Sequence, residues 1–355
     1  MVMMMYGHTV SALLDKTYQT GTWFQVWTFQ RGMTSGLFLF LSGFAFSIAT
    51  MRHWPVHTRF SPAVWKRARR FALFIVLGYA MHSPVRHAID IASATDAKWR
   101  AFLAVDVLQL VGVTLLLLQL LVLAAQSRRV FIAVTCLLAA LLIGITPMAW
   151  AFDYGPYVPP AIGAYLSPSG GSLFPLIPWS GFALAGAAAG GLFARWGAAH
   201  LGRFANLVLL APGVLLLLVG LSAGRLPVLA AAGPFGGVLA AILMRFAACL
   251  ILLSLMAHAS RRLTHLPHVF GAIAQESLLV YFVHLAIVYG SPWNTGLYRF
   301  FALSLSPLQT LLAVVAIVGA MFLLAWHWNR LKHHRPRAAR WISVATGAAM
   351  VAWLI

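Results

Sequence analysis

Ser277, Tyr281, His284 and Ser291 follow the spacing i, i+4, i+7 and i+14, which sets four polar side chains on one face of a helix. They belong to the mostly apolar run "LLVYFVHLAIVYG" (278–290) and its flanks. A histidine there is either a hydrogen-bonded structural residue or a group that moves a proton. An imidazole suits general-base activation of a hydroxyl or amine, and it can also accept an acyl group. His8 in "MYGHTV" is a second such residue, and His82 is a third. "WKRARR" (65–70) supplies Arg67, Arg69 and Arg70, guanidinium groups of the kind that hold phosphates in forked geometry. The plainer reading of that stretch is an orientation signal lying on anionic lipid. Arg245 stands inside an apolar run, where it needs a carboxylate, carbonyls or a bound anion beside it.

Composition decides which elements hold these residues. The chain of 355 residues is 61% hydrophobic and only 9% charged, with a mean hydropathy of +0.86. A water-facing surface needs roughly a quarter charged residues, so a soluble domain is excluded. Apolar runs near the ~20 residues that cross a bilayer recur along the chain. The ~10-residue alternating segments of a β-barrel are missing. The expected fold class is all-α, a polytopic membrane helix bundle of about 11 transmembrane helices. Their places are 1–14, 32–51, 71–84, 103–125, 130–151, 172–194, 204–222, 232–257, 270–290, 306–328 and 341–355. No linker divides them, so residues 1–355 are expected to form a single integral-membrane domain. The first span reaches only about 21 Å at 1.5 Å per residue, short of the ~30 Å hydrocarbon core. That shortfall predicts either a start upstream of Met1 or a helix that crosses only in part.

The net charge of +19 does not mark a nucleic-acid binder, because no soluble basic domain carries it. The basic residues sit in connections instead. Those after the second, fourth, sixth, eighth and tenth spans hold 17 Lys and Arg residues, against 7 in the opposite set, which includes Arg225. The positive-inside rule then places the former connections and the N-terminus in the cytoplasm. Asp15, Asp90, Asp96, Asp106 and Asp153 fall on the outer side, as solvated caps or as the wall of a polar vestibule. Asp106, within the opening turns of its span, requires a partner. Trp293 and Asn294 in "GSPWN" meet the outer interface, where a tryptophan is most simply an aromatic-belt anchor. Gly186 and Gly190 in "GAAAG", and Gly32 and Gly36 in "GMTSG", have the spacing that lets membrane helices approach closely. "SGFA" occurs twice, at 42–45 and 180–183. Cys136 and Cys249 lie in apolar runs, so no disulfide framework is implied. Neither zinc-site spacing nor a P-loop or nucleophile elbow is present, and no metal is expected.

Four segments in this order resemble one family: "RGMTSGLFLFLSGFAFSIATMR" (31–52), "DVLQLVG" (106–112), "SLFPLIPWSGFALAGAAAGGLFAR" (172–195) and "ESLLVYFVHLAIVYG" (276–290). The chain is similar to the bacterial branch of the heparan-alpha-glucosaminide N-acetyltransferase-like membrane acyltransferases, with acyltransferase-3 proteins as more distant relatives. The resemblance implies a bacterial inner-membrane enzyme that takes an acyl group from cytoplasmic acetyl-CoA or another acyl-CoA. The acceptor it implies is a hydroxyl or amine of an extracytoplasmic saccharide. His8 matches the polar residue ending the family's first helix, and His284 the histidine of its late "YxxH" helix. The basic stretch after "LSGF" matches Arg67, Arg69 and Arg70. Two departures stand out. The segment that usually precedes the first helix is absent, and "YQTGTWFQVWTFQ" lacks the further histidine of the lysosomal enzyme. His8 is therefore the expected base or acyl acceptor, with His284 and Tyr281 positioning it or the acceptor. Arg67, Arg69, Arg70 and Arg245 are expected to hold CoA phosphates, and Asp106, Trp293 and Asn294 to meet the saccharide. Membrane lipids and a second copy of the chain are the other expected partners. A transporter or flippase for a glycan or lipid-linked sugar is the rival reading.

Overall fold

The computed structural model describes residues 1–222, 234–263 and 267–355, and Arg225 lies outside them. The described chain is mainly helical, and its two strands form one short turn, Gly290–Ser291 paired antiparallel with Asn294–Thr295. In order, the main helices are α1 (Val2–Leu13), α2 (Gly21–Arg52), α3 (Pro62–Met81) and α4 (Val107–Ala125). They are followed by α5 (Arg128–Gly144), α6 (Leu176–Trp196), α7 (Leu201–Ser222) and α8 (Pro234–Ser260). The chain ends in α9 (His268–Gln275), α10 (Ser277–Tyr289), α11 (Pro307–His334) and α12 (Pro336–Leu354).

Six of the described helices, α2, α4, α6, α7, α8 and α11, are long and apolar enough to cross a bilayer. The pair α9–α10 makes a seventh if its 80° bend lies within one crossing. The remaining main helices occur where spans were expected but are shorter or carry more charge. α1 and α5 have 12 and 17 residues. α3 carries Lys66, Arg67, Arg69 and Arg70, and α12 opens on Arg337 and Arg340. α2 departs most from expectation, starting at Gly21 rather than near 32. Its 32 residues extend about 48 Å. The aromatic stretch between the first two expected spans is helical from Gly21, and Thr28 and Thr34 bond back to the carbonyls of Phe24 and Gln30.

The chain divides into two compact units, each assembled from separated segments. The first comprises Met1–Thr34, Ala80–Trp99 and Leu263–Ile355. In it α1 packs on α10 and α11, burying Met5, Leu13, Val280, Val288, Ile317 and Met321. Backbone bonds fix the end of α1: Leu303 and Leu305 donate to the Ala12 and Leu13 carbonyls, and Asp15 donates to that of Leu305. At the opposite end of α11, Lys332 lies 2.8 Å from the buried carboxylate of Glu276. Glu276 is the residue where α9 turns into α10.

The second unit comprises Ser35–Tyr79 and Arg100–Arg262. Here α6 packs between α2 and α5. A Cβ on Gly43 would overlap the Ala183 carbonyl oxygen, and one on Gly186 would overlap that of Phe40. The two "SGFA" segments are therefore brought together at the α2–α6 crossing, where the backbones touch. Gly190 faces Phe44 in the same way, as the small-residue spacing predicts. Phe40, Phe182 and Phe246 fill the adjoining core.

Candidate active site

Three of the residues singled out in the sequence converge within the first unit. Buried positions along α10 are Val280, Tyr281, His284, Leu285 and Val288, so its inner face carries Tyr281 and His284 one above the other. Their ring centroids are 5.5 Å apart and edge-to-face. α1 lies against this face and brings the His8 ring to 5.5 Å from that of His284. Ser291 does not continue the stripe. The helix stops at Tyr289, Gly290 turns the chain with φ +91°, and Ser291 enters the short antiparallel turn.

Hydrogen bonds assign the histidine protons. His284 Nδ1 is 2.7 Å from the carbonyl oxygen of Val280. A carbonyl only accepts, so Nδ1 carries the proton and Nε2 of the neutral ring carries the lone pair. That Nε2 is fully buried and has no hydrogen-bond partner among the described residues. His8 Nδ1 is 3.3 Å from the Tyr289 hydroxyl, which also lies 3.4 Å from the His8 backbone carbonyl. Both contacts are satisfied when the hydroxyl donates to the carbonyl and accepts from Nδ1–H. The lone pair of His8 is then on Nε2 as well. Two basic nitrogens on facing helices can take up a proton from a hydroxyl or amine placed near them.

Tyr289 and Arg31 complete this cluster and were not singled out in the sequence. Tyr289 stands inside the run quoted for His284, but its partner His8 is 281 residues away. Arg31 donates to Ser11 Oγ and lies over Trp27, its centroid distance being 5.3 Å. A Cβ on Gly7 would come within 3.3 Å of the Arg31 side chain, so the glycine beside His8 gives that arginine room. Tyr289 also lines a cavity of about 600 Å³, together with Arg86, His87, Asp90, Lys98 and Ser291. Its size suits a small ligand, and its wall is polar, with Arg86, Lys98 and Asp90 as the charged residues.

Trp293 and Asn294 use their polar groups within the chain. Trp293 Nε1 donates to the Met350 carbonyl at 2.8 Å. Asn294 Nδ2 donates to the Ala286 carbonyl at 2.8 Å, and its Oδ1 accepts from the Ser291 hydroxyl. The two side chains thus brace the turn that follows α10.

The remaining predicted residues belong to the second unit. Asp106 is not inside its helix but caps it, Oδ1 accepting from Val107 N–H at 2.7 Å. The WKRARR stretch is helical, so Arg67 and Arg69 are two positions apart and do not share a face. Arg67 is half-buried, donates to Thr50 Oγ1 at 2.9 Å and stacks on Phe46, whereas Arg69 and Arg70 are exposed. Arg245 is half-buried within α8. Close to Arg67, His57 is buried between α2 and α3. Burial first, then the Arg67 guanidinium and His53, push its pKa down to about 4. Gln109, in the "DVLQLVG" segment, is fully buried with neither amide end bonded among the described residues. Apolar periodicity alone gave no reason to single it out.

No curated protein and no solved structure gives a significant match to the chain. A family model does match, that of the heparan-alpha-glucosaminide N-acetyltransferase catalytic region, over residues 1–225. The match takes in His8, Arg67, Arg69, Arg70 and Asp106 and stops short of Arg245, Tyr281, His284, Trp293 and Asn294. Spanning well over half of an all-α, membrane-type chain, it shows that the protein belongs to the heparan-alpha-glucosaminide N-acetyltransferase catalytic family and is an acetyltransferase enzyme.

Proposed function

We propose that the protein moves an acetyl group from acetyl-CoA to a hydroxyl or amine of an extracytoplasmic saccharide. His8 is the general base in this reading. The acceptor gives its proton to Nε2 of His8 as its oxygen or nitrogen bonds to the acyl carbon. The carbon–sulfur bond breaks, and the thiolate leaves with the electron pair. Tyr289 keeps His8 in the tautomer that reaction needs, while His284 offers a second proton-accepting nitrogen 5.5 Å away, centroid to centroid. The polar cavity beside Tyr289 suits the saccharide, and the exposed Arg69 and Arg70 suit the phosphates of the donor.

The observation that carries this reading is Nε2 of His284. A fully buried ring nitrogen without a partner is costly, and burial beside a second imidazole in a water-poor bundle is hard to explain by packing alone. A transporter would also use polar groups in a bundle, and the two readings separate in sealed vesicles. With labelled acetyl-CoA on one side and a saccharide on the other, transfer places label on the saccharide and loses it in His8→Ala. Movement of unmodified saccharide without label would overturn the proposal.

A further inference from the structure

The second unit contains a cavity to which the acetyl-transfer reading above assigns no role. It measures about 510 Å³ and is walled by Arg52, Arg128 and Arg195, with Ile48, Met51 and Phe193 as its apolar side. Three chain segments deliver the arginines. Arg52 is the last residue of α2, Arg195 lies in the final turn of α6, and Arg128 is the first residue of α5. All three are exposed, and no carboxylate pairs with any of them among the described residues.

Two of these positions have a local explanation. A cation at a helix C-terminus complements the helix dipole, which suits Arg52 and Arg195. Arg128 does not fit that account. It sits at a helix N-terminus, where a cation opposes the dipole, and Arg129 follows it. The first turn of α5 has no acidic residue, and Ser127 makes no side-chain cap bond to it. The start of α5 thus presents uncapped N–H groups together with a guanidinium, and two more guanidinium groups share the same cavity. An anion is the partner that satisfies all of them. Forked donors select a phosphate over a halide, and the apolar side suits a phosphate that carries a hydrophobic or heterocyclic substituent.

We propose that Arg52, Arg128 and Arg195 form a phosphate-binding site, filled by an anionic lipid headgroup or by the 3′-phosphate of CoA. Basic pockets among the ends of membrane helices hold lipid phosphates in this way. The three arginines lie in connections that the charge split assigns to the cytoplasm, the side on which both sources are found. The site stands whether or not His8 acts as a base.

The test uses the full chain with Arg128→Gln, the double variant Arg52→Gln/Arg195→Gln, and Arg129→Gln as a control outside the cavity. Two probes are measured against each protein: CoA compared with 3′-dephospho-CoA by titration in detergent, and phosphatidylglycerol retained through purification by native mass spectrometry. The expected result is that both lining variants weaken one probe at least about tenfold, while Arg129→Gln changes it less than about threefold. A loss confined to CoA, and absent for 3′-dephospho-CoA, identifies the nucleotide phosphate. A loss confined to phosphatidylglycerol identifies the lipid. Unchanged binding of both probes by the lining variants, or an equal loss in Arg129→Gln, overturns the proposal.

Discussion

At the scale of single residues, the His8–Tyr289 contact makes the sharpest demand. If the phenol fixes which nitrogen of His8 bears the lone pair, Tyr289→Phe lowers kcat about tenfold and leaves KM for acetyl-CoA nearly unchanged. Steady-state kinetics on purified protein check that split, and a rise in KM at constant kcat contradicts it. His57 makes a second demand, this time on stability. Its pKa of about 4 in the folded chain lies below the ordinary value of 6.5. Between these values the unfolded chain binds more protons at this position, so its contribution to stability is lost as pH falls through 6.5 toward 4. Thermal melting across that range is expected to decline less in His57→Gln than in the unsubstituted protein. Parallel declines would remove His57 from the account. The residue-level chemistry was only half legible in the sequence. Tyr281 and His284 announce themselves by helical spacing. The surroundings of His8 do not, because Tyr289 reaches it, and Arg31 reaches the neighbouring Gly7 and Ser11, from helices whose docking no local pattern encodes.

At the scale of elements, small residues decide how closely helices approach. The Gly43 and Gly186 contacts leave no room for a methyl group, since the atoms they would meet are backbone carbonyls on the facing helix. Gly43→Val is expected to cost about 3 kcal/mol, the upper end of overpacking costs, and to deplete folded protein after extraction. Fluorescence-detected size exclusion reads this directly, and a monodisperse, wild-type-like peak contradicts it. The bend at Glu276 is held by a different device. Its buried carboxylate accepts from Lys332 at 2.8 Å and from Asn329 at 3.1 Å, which ties the start of α10 to the end of α11. Lys332→Ala leaves that carboxylate with less compensation than Glu276→Gln leaves the amide, so melting should show the lysine variant as the less stable. Both features expose limits of reading elements from sequence. The glycine spacing signalled close packing, but not that one "SGFA" would meet the other. The 270–290 run reads as one span because Gln275, Glu276 and Ser277 interrupt its apolarity only briefly, and nothing in that spacing announces that Glu276 stands at a bend and pairs with Lys332 and Asn329. The start of α2 lies earlier than expected for a related reason: Gln25, Thr28, Gln30 and Arg31 interrupt apolarity without interrupting a helix.

At the scale of the whole molecule, composition and charge placement carry the strongest sequence signal. High apolarity with few charges dictates helices that satisfy their own backbone bonds, and the described chain is helical throughout its long segments. The count of crossings was less legible: six described helices, or seven with the bent pair, have the length and apolarity of a span, while runs such as α1 and α5 form helices of 12 and 17 residues. The seventeen-to-seven split of basic residues makes a topological prediction. A cysteine placed at the exposed Arg129 should react with an impermeant maleimide only after the cytoplasmic face is opened, and one at the exposed Asp153 should react in intact cells. Reversed labelling would invert the proposed direction of transfer. The central claim is that the paired imidazoles of α1 and α10 perform the proton transfer of an acetyltransferase. Its most direct measurement is kcat/KM for acetyl transfer from labelled acetyl-CoA to a saccharide amine or hydroxyl, comparing His8→Ala with unsubstituted protein at equal folded concentration. The account predicts a loss of at least about 100-fold, the low end of general-base contributions. A His8→Ala variant within threefold of the unsubstituted enzyme would contradict it.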